Sequence, residues 1–290
     1  MVESAAALSA TRTVVWTALA MLAFAANSLL CRLALQRQGI DPASFGSVRL
    51  VAGALTLALV LRMRAARPAQ AQASRGDWLA AAALFAYVAL FSFAYLCLAA
   101  GTGALILFGA VQLTMFSAGL AAGERFGPLG WAGFVLAVAG LLYLMAPGVE
   151  APPPLGAVLM ALAGVSWGVY SLRGRGVADP LAATAGNFVR ATPLALLLSL
   201  ACAASARTDP FGLLLAVASG AFASGLGYAV WYSALRGLSA LRAATVQMSV
   251  PVIAAFGGVL FLAETVTMRL IVASLATLGG IGLVLASRSR

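Results

Sequence analysis

Apolar residues run almost unbroken along this chain, in ten blocks of membrane-crossing length separated by short polar stretches. The blocks cover 13–35, 42–61, 76–99, 103–122, 129–145, 155–172, 181–205, 211–235, 239–262 and 268–286. A helix needs about 20 apolar residues to cross a bilayer, and each block is close to that. Runs such as Leu50 to Leu61 and Leu194 to Leu200 do not alternate apolar with polar, as the strands of a membrane barrel must. The pattern therefore predicts an all-α polytopic membrane protein with ten transmembrane helices. Its punctuation is consistent with that. Asp41-Pro42, Asp179-Pro180 and Asp209-Pro210 each offer an Asp N-cap followed by Pro at the first helical position. Pro147 and the run Pro152-Pro153-Pro154 interrupt the chain between the fifth and sixth blocks. Arg12, the apolar run after it and Ala23-Phe24-Ala25 have the outline of a cleavable signal. The run continues to Leu35, too far for a signal core, so an uncleaved first span is expected.

Composition narrows the chemistry. Of 290 residues, 63% are hydrophobic and 9% charged, against about 25% charged in a soluble domain. There is no histidine and no lysine, so all 18 basic residues are Arg. That removes His-based acid–base chemistry, His metal ligands and Schiff-base lysines. Cys31, Cys97 and Cys202 lie far apart in apolar surroundings and read as small core residues. An enzyme is not expected, nor a cofactor or metal. The net charge of +10 does not form one basic face, which argues against nucleic acid. It reads as topology. With the N-terminus inside, the cytoplasmic segments hold twelve arginines and the outer ones four, with Arg49 and Arg190 inside spans. Both termini are expected in the cytoplasm, and no ring of charge or filter-like loop points to a channel.

Shifted by about 140 residues, the chain partly matches itself. Asp41-Pro42 falls near Asp179-Pro180, Val48-Arg49 over Val189-Arg190, Val111-Gln112 over Val246-Gln247, Glu124 over Glu264, and Gly140 over Gly280. A repeat of five spans must enter the membrane upside down the second time, which gives two inverted five-helix repeats, residues 1–147 and 155–290. The loop after the second block carries four arginines, whereas its repeat partner around Arg207 and Asp209 carries one, the bias that opposite orientation demands.

With ten spans, this inverted repeat, and Ala243-Ala244, Pro251, Gly257-Gly258, Glu264 and Gly279-Gly280 in the second half, the chain resembles the drug/metabolite transporter superfamily of EamA type. Within it, the aromatics near the presumed cavity are most similar to the YddG branch of aromatic amino-acid exporters. The first half departs from the pattern. It has no proline matching Pro251 and is about five residues shorter between Gln112 and Glu124 than the second half is between Gln247 and Glu264. The resemblance implies a central cavity among spans one, three, four, six, eight and nine, an inner-membrane location and alternating access.

Helical spacing then selects the cavity candidates. They are Phe24 and Asn27 in span one, Tyr87, Phe91 and Tyr95 in span three, and Phe108 and Gln112 in span four. Span six offers Ser166, Trp167 and Tyr170, span eight Ser224, Tyr228 and Trp231, and span nine Gln247. Each aromatic has a packing or interfacial alternative, and each amide an interhelical hydrogen-bond alternative. An amphipathic amino acid suits such a set, its side chain among rings and its ammonium over a ring face, with amide donors or Arg190 on its carboxylate. The expected function is export of amino acids, aromatic ones included; the alternative is another small metabolite or drug in the same fold. The partners are then the cargo and membrane lipids, with the chain working as a monomer.

None of the eight acids lies at the membrane centre, so no carboxylate proton relay is expected there. Arg49 and Arg190 each need a partner. Topology allows cross-half latches, Arg49 with Glu264 and Arg190 with Glu124, or else water and backbone carbonyls.

Overall fold

The computed structural model describes residues 10–65, 76–123, 125, 127–238 and 240–287. Helices begin where the sequence caps them. Asp41 accepts from the backbone N–H groups of Ala43 and Ser44, Asp179 from that of Ala182 and Asp209 from that of Gly212. A fourth cap, Asp77, accepts from Leu79 and Ala80. These carboxylates satisfy N–H groups that a helix start leaves unpaired, and their charge suits the positive end of the helix dipole.

The helices are α1 (Ala10–Gln36), α2 (Pro42–Ala65), α3 (Trp78–Ala94), α4 (Ala100–Ala121), α5 (Pro128–Met145), α6 (Pro154–Arg173) and α7 (Pro180–Ala201). They continue as α8 (Pro210–Leu235), α9 (Ala240–Gln247, resuming as Ser249–Leu262) and α10 (Met268–Ser287). Among the described residues, nine helices are long and apolar enough to cross a membrane, and α3 is a shorter apolar helix. The chain is an all-α polytopic membrane protein.

Three local departures from regular helix matter later. First, α3 ends at Ala94, so Tyr95 is its C-cap and lies in the turn to α4, not within the expected span of 76–99. Second, α8 widens into a π-type turn over Ser219–Leu226. Third, α9 breaks at Met248. Pro251 explains the third: it has no N–H for the carbonyl of Gln247, and its ring clashes with that turn.

The packing has a symmetry of its own. α2 packs on α7, α5 on α10 and α4 on α9; α3 packs on α6 as α1 does on α8; α4 packs on α6 as α1 does on α9. Adding five to each helix number returns the same set of pairs. Small residues let the backbones approach. A Cβ on Gly133 would meet the Gly280 carbonyl oxygen 2.6 Å away, where α5 lies against α10.

The same exchange relates the two ends of the bundle. At one end the loops between α1 and α2 and between α7 and α8 meet. Ile40 and Thr208 form an antiparallel bridge, the Asp41 N–H donates to the Arg207 carbonyl, and the Arg207 N–H donates to the Asp41 carboxylate. At the other end the last turn of α2, the start of α3, the end of α6 and the start of α7 come together. Arg64 pairs with Asp179 at 3.1 Å, Arg173 with Asp77 at 2.7 Å, and the Asp77 N–H donates to Asn187 Oδ1 at 2.8 Å. In this structure hydrogen bonds or ion pairs span each of these ends.

Candidate functional site

Six helices converge on a small cavity of about 10 Å³. α1 contributes Phe24, Asn27 and Ser28, and α2 contributes Arg49. α3 gives Tyr87 and Phe91, α4 gives Leu107 and Phe108, α6 gives Trp167, and α8 gives Tyr228. The i, i+4 spacing of Tyr87 and Phe91 puts both on one face of α3.

The rings form a continuous wall. Trp167 stacks on Tyr87 with centroids 5.2 Å apart and takes the edges of Phe108 at 5.2 Å and Phe24 at 5.9 Å. Phe24 also meets Tyr228 at 6.1 Å and Trp231 at 5.8 Å. Such edge and offset contacts each add about 0.5–1.5 kcal/mol beyond the area that they bury.

Against this wall runs a polar chain from Asn27 through Ser224 to Arg49 and Tyr87. Asn27 Oδ1 accepts from Ser219 Oγ at 2.8 Å and, more weakly, from Ser224 Oγ at 3.4 Å, while its Nδ2 donates to the Ala223 carbonyl at 3.2 Å. Both serines and Ala223 lie in the wide turn of α8, which turns its hydroxyls and one carbonyl toward α1; such turns recur at functional sites. Gly220 makes the approach possible, since a Cβ there would collide with the backbone oxygen of Arg49.

Arg49 is 2% exposed. Its Nε donates to Ser224 Oγ at 3.1 Å and its Nη2 to the Tyr87 hydroxyl at 2.9 Å. The guanidinium lies 5.2 Å from the Tyr87 ring centroid and 5.1 Å from that of Phe91. Nη1 has no hydrogen-bond partner among the described residues.

The sequence-based candidates thus divide. Phe24, Asn27, Tyr87, Phe91, Trp167 and Tyr228 line the cavity. Trp231 backs it through Phe24. Tyr95 stands behind Phe91 at 4.7 Å and donates its hydroxyl to the Ala100 carbonyl, because α3 has already ended there. Tyr170 turns toward α7, donating to Thr184 Oγ1, which also bonds the Tyr232 hydroxyl. Ser166 is half-buried and bonds its own helix at the Leu162 carbonyl. Gln112 is buried in α4 and Gln247 half-buried at the α9 break, both outside the cavity lining. Among the residues lining this cavity none comes from α9, whereas α2 contributes Arg49. The first stretch of α9 instead borders a mostly apolar groove of about 560 Å³ against the N-terminal half of α1, lined among others by Thr13, Met21, Thr245 and Ile253.

The expected latch partners are also rearranged. Glu264 pairs with Arg32 at 3.2 Å and accepts the Ala100 N–H at 2.8 Å, capping the start of α4. Arg32 donates further to the Tyr95 and Leu96 carbonyls. Arg32 lies at the Asp41 end of α1 and reaches Glu264 there, whereas the depth of Arg49 in α2 sets it level with the aromatic wall. Glu264 still joins the halves, with a different arginine. Arg190 donates to the Gly186 carbonyl at 3.0 Å, and its guanidinium lies 5.8 Å from the Trp78 ring centroid. Its proposed partner Glu124 lies outside the described residues.

Sequence reasoning missed the inward role of Arg49, the Arg32–Glu264 pair and the lining by Ser28 and Leu107. Arg49 carried a signal: no acid occupies the middle of any span, so an arginine that deep had no acidic partner at its own level.

Residues 154–286 match the profile of the EamA-like transporter family. The chain is 58% identical over 277 residues to "Uncharacterized protein PA1977" of Pseudomonas aeruginosa, covering 96% of each. A crystal structure of a protein 20% identical in sequence aligns over 97% of this chain and 100% of its own, with a TM-score of 0.67. That likeness speaks to the fold alone.

Proposed function

The chain belongs to the EamA-like transporter family of the drug/metabolite transporter superfamily, and from that premise we propose that it is a secondary exporter of amino acids, aromatic ones included, working by alternating access in the inner membrane. One observation carries this reading: a buried cage of Phe24, Tyr87, Phe91, Phe108, Trp167 and Tyr228 with a polar edge of Asn27, Ser28 and Arg49. Pockets that hold small ligands run to about 300–1,000 Å³, far more than this cavity offers in this structure. Cargo must therefore enter through a rearrangement that parts one end at a time, with residues 1–147 and 155–290 as the two inverted repeats that rock. The exchange-symmetric packing supports that division.

The arginine bias puts both termini and the Asp77 end in the cytoplasm and the Asp41 end outside. Phe24, Asn27, Tyr87, Phe91, Trp167 and Tyr228 then touch cargo, while Tyr95, Tyr170, Trp231, Gln112 and Gln247 support the wall or meet cargo in an open state. The protein works as a monomer among lipids. The centre holds no Asp or Glu among its lining residues, so flux follows the substrate gradient by facilitated diffusion or exchange.

A second reading, export of an apolar drug-like metabolite, is favoured by the apolar groove between α1 and α9. Counterflow in proteoliposomes separates the two. Preloaded unlabelled L-phenylalanine should drive transient, saturable accumulation of labelled L-phenylalanine, inhibited by tryptophan and tyrosine. Absence of counterflow with any amino acid, alongside uptake of lipophilic cations or drugs, would pass the assignment to the second reading.

A further inference from the structure

We infer that Arg49 is the anchor for a carboxylate on the cargo, so that the protein selects carboxylate-bearing molecules over matched amines; this rests on the carrier reading of the cavity and adds the chemical class of head group. The starting point is an uncompensated charge. Arginine is a cation by its chemistry, and the immediate partners of Arg49 are two neutral hydroxyls and two ring faces. Of the six described carboxylates, Glu150 is exposed in the turn between α5 and α6, and the other five are engaged elsewhere. Glu264 is held by Arg32, Asp179 by Arg64 and Asp77 by Arg173, while Asp41 and Asp209 cap α2 and α8. A buried cation without a counter-charge is costly in a membrane interior, and ring faces offset only part of that cost.

The free corner of the guanidinium is the one that matters. Nε and Nη2 are pinned by Ser224 and Tyr87, which fixes the plane of the fork, while Nη1 is buried without a partner in a residue that lines the cavity. The neighbouring polar groups present donors as well. Asn27 commits its Oδ1 to Ser219 and Ser224, leaving its amide nitrogen as the group with remaining capacity. The Tyr87 hydroxyl accepts from Arg49, so its own proton is available to give. A polar edge made of donors around a fixed positive charge fits a carboxylate and repels an ammonium. The body of the cargo then lies toward Trp167, Phe108 and Phe24, and an amino acid's ammonium is placed away from Arg49, over a ring face.

The test is equilibrium binding to the purified full chain, read by intrinsic tryptophan fluorescence with Trp167 in the cavity wall. The probes are 3-phenylpropionate, phenethylamine and L-phenylalanine. The wild type should bind 3-phenylpropionate at least tenfold more tightly than phenethylamine. Arg49→Gln should lose at least tenfold in 3-phenylpropionate affinity, the scale of a charge-assisted hydrogen bond, without a matching loss for phenethylamine. Arg49→Lys keeps the charge but loses the fork, and should fall between. If Arg49→Gln does not fold, the wild type's own choice between acid and amine, together with Arg49→Lys, still decides.

Carboxylate binding that depends on Arg49 in the absence of L-phenylalanine binding supports the inference and rejects amino acids as cargo. L-phenylalanine binding equally well in wild type and Arg49→Gln leaves the amino-acid reading standing and overturns the inference. A wild type that binds no carboxylate, or prefers phenethylamine, also overturns it.

Discussion

Trp167 and Tyr95 look alike in the sequence, two aromatics deep in apolar surroundings, yet they do different work. Trp167 lines the cavity and stacks on Tyr87, whereas Tyr95 is wholly buried behind Phe91 in the turn after α3. Trp167→Phe should therefore weaken cargo binding about two- to tenfold, the value of one aromatic pair at about 0.5–1.5 kcal/mol. Tyr95→Phe removes a hydroxyl bonded to the Ala100 carbonyl at 3.2 Å and should cost about 1 kcal/mol of stability with KM unchanged. Transport kinetics and thermal unfolding of both variants check the contrast, and equal KM values for Trp167→Phe and wild type would contradict it. Helical spacing put Tyr87 and Phe91 on one face of α3, and both line the cavity in this structure. It placed Tyr95 one shell too far in, since the end of α3 depends on the turn that leads into α4 and not on hydropathy.

Among the elements, helix starts were the most legible. Asp followed by Pro marks a cap by local chemistry alone, and the structure uses Asp41, Asp179 and Asp209 in that way. Asp41 does more, because its second oxygen takes the Arg207 N–H across the end of the bundle at 3.1 Å. Burial alone would raise its pKa. The Ser44 side chain and the N–H groups of Ser44, Arg207 and Ala43 outweigh that and hold the carboxyl below its usual value. A carboxylate with a depressed folded pKa stabilises the fold above its unfolded pKa of about 3.9 and loses that contribution as pH falls through the folded value. Asp41→Ala should thus lower stability by about 0.5–2 kcal/mol at neutral pH. Its difference from wild type should shrink as the pH drops below about 4, which melts in detergent across pH will show; a pH-independent difference would count against this account. The wide turn in α8 was not legible. It depends on Asn27 and Arg49 from other helices meeting Ser219 and Ser224, a tertiary demand that local propensity does not encode.

At the scale of the whole molecule, the ten apolar blocks made the all-α membrane fold legible. The exchange-symmetric packing and the contacts across the two ends accord with the proposed repeat. The departures lie where the halves differ. Only the second half has Pro251, and there α9 breaks and leaves the cavity wall, whereas its counterpart α4 runs unbroken and contributes Leu107 and Phe108. Which arginine meets which acid was beyond the sequence, because Arg32 and Arg49 differ in depth and direction more than in pattern.

The central claim is that the two ends open alternately around one cavity, and distances across those ends test it most directly. Spin labels would be placed at Gln36→Cys with Ala204→Cys at the Asp41 end, and at Met63→Cys with Arg175→Cys at the Asp77 end, in a background free of native cysteines. All four positions are exposed and lie outside the contacts that hold the ends together. Pulsed electron paramagnetic resonance in liposomes, with and without L-phenylalanine, should show a closed population at both ends and open populations that are mutually exclusive, one distance lengthening only where the other stays short. Both ends lengthening together, or neither moving during demonstrated flux, would contradict the account.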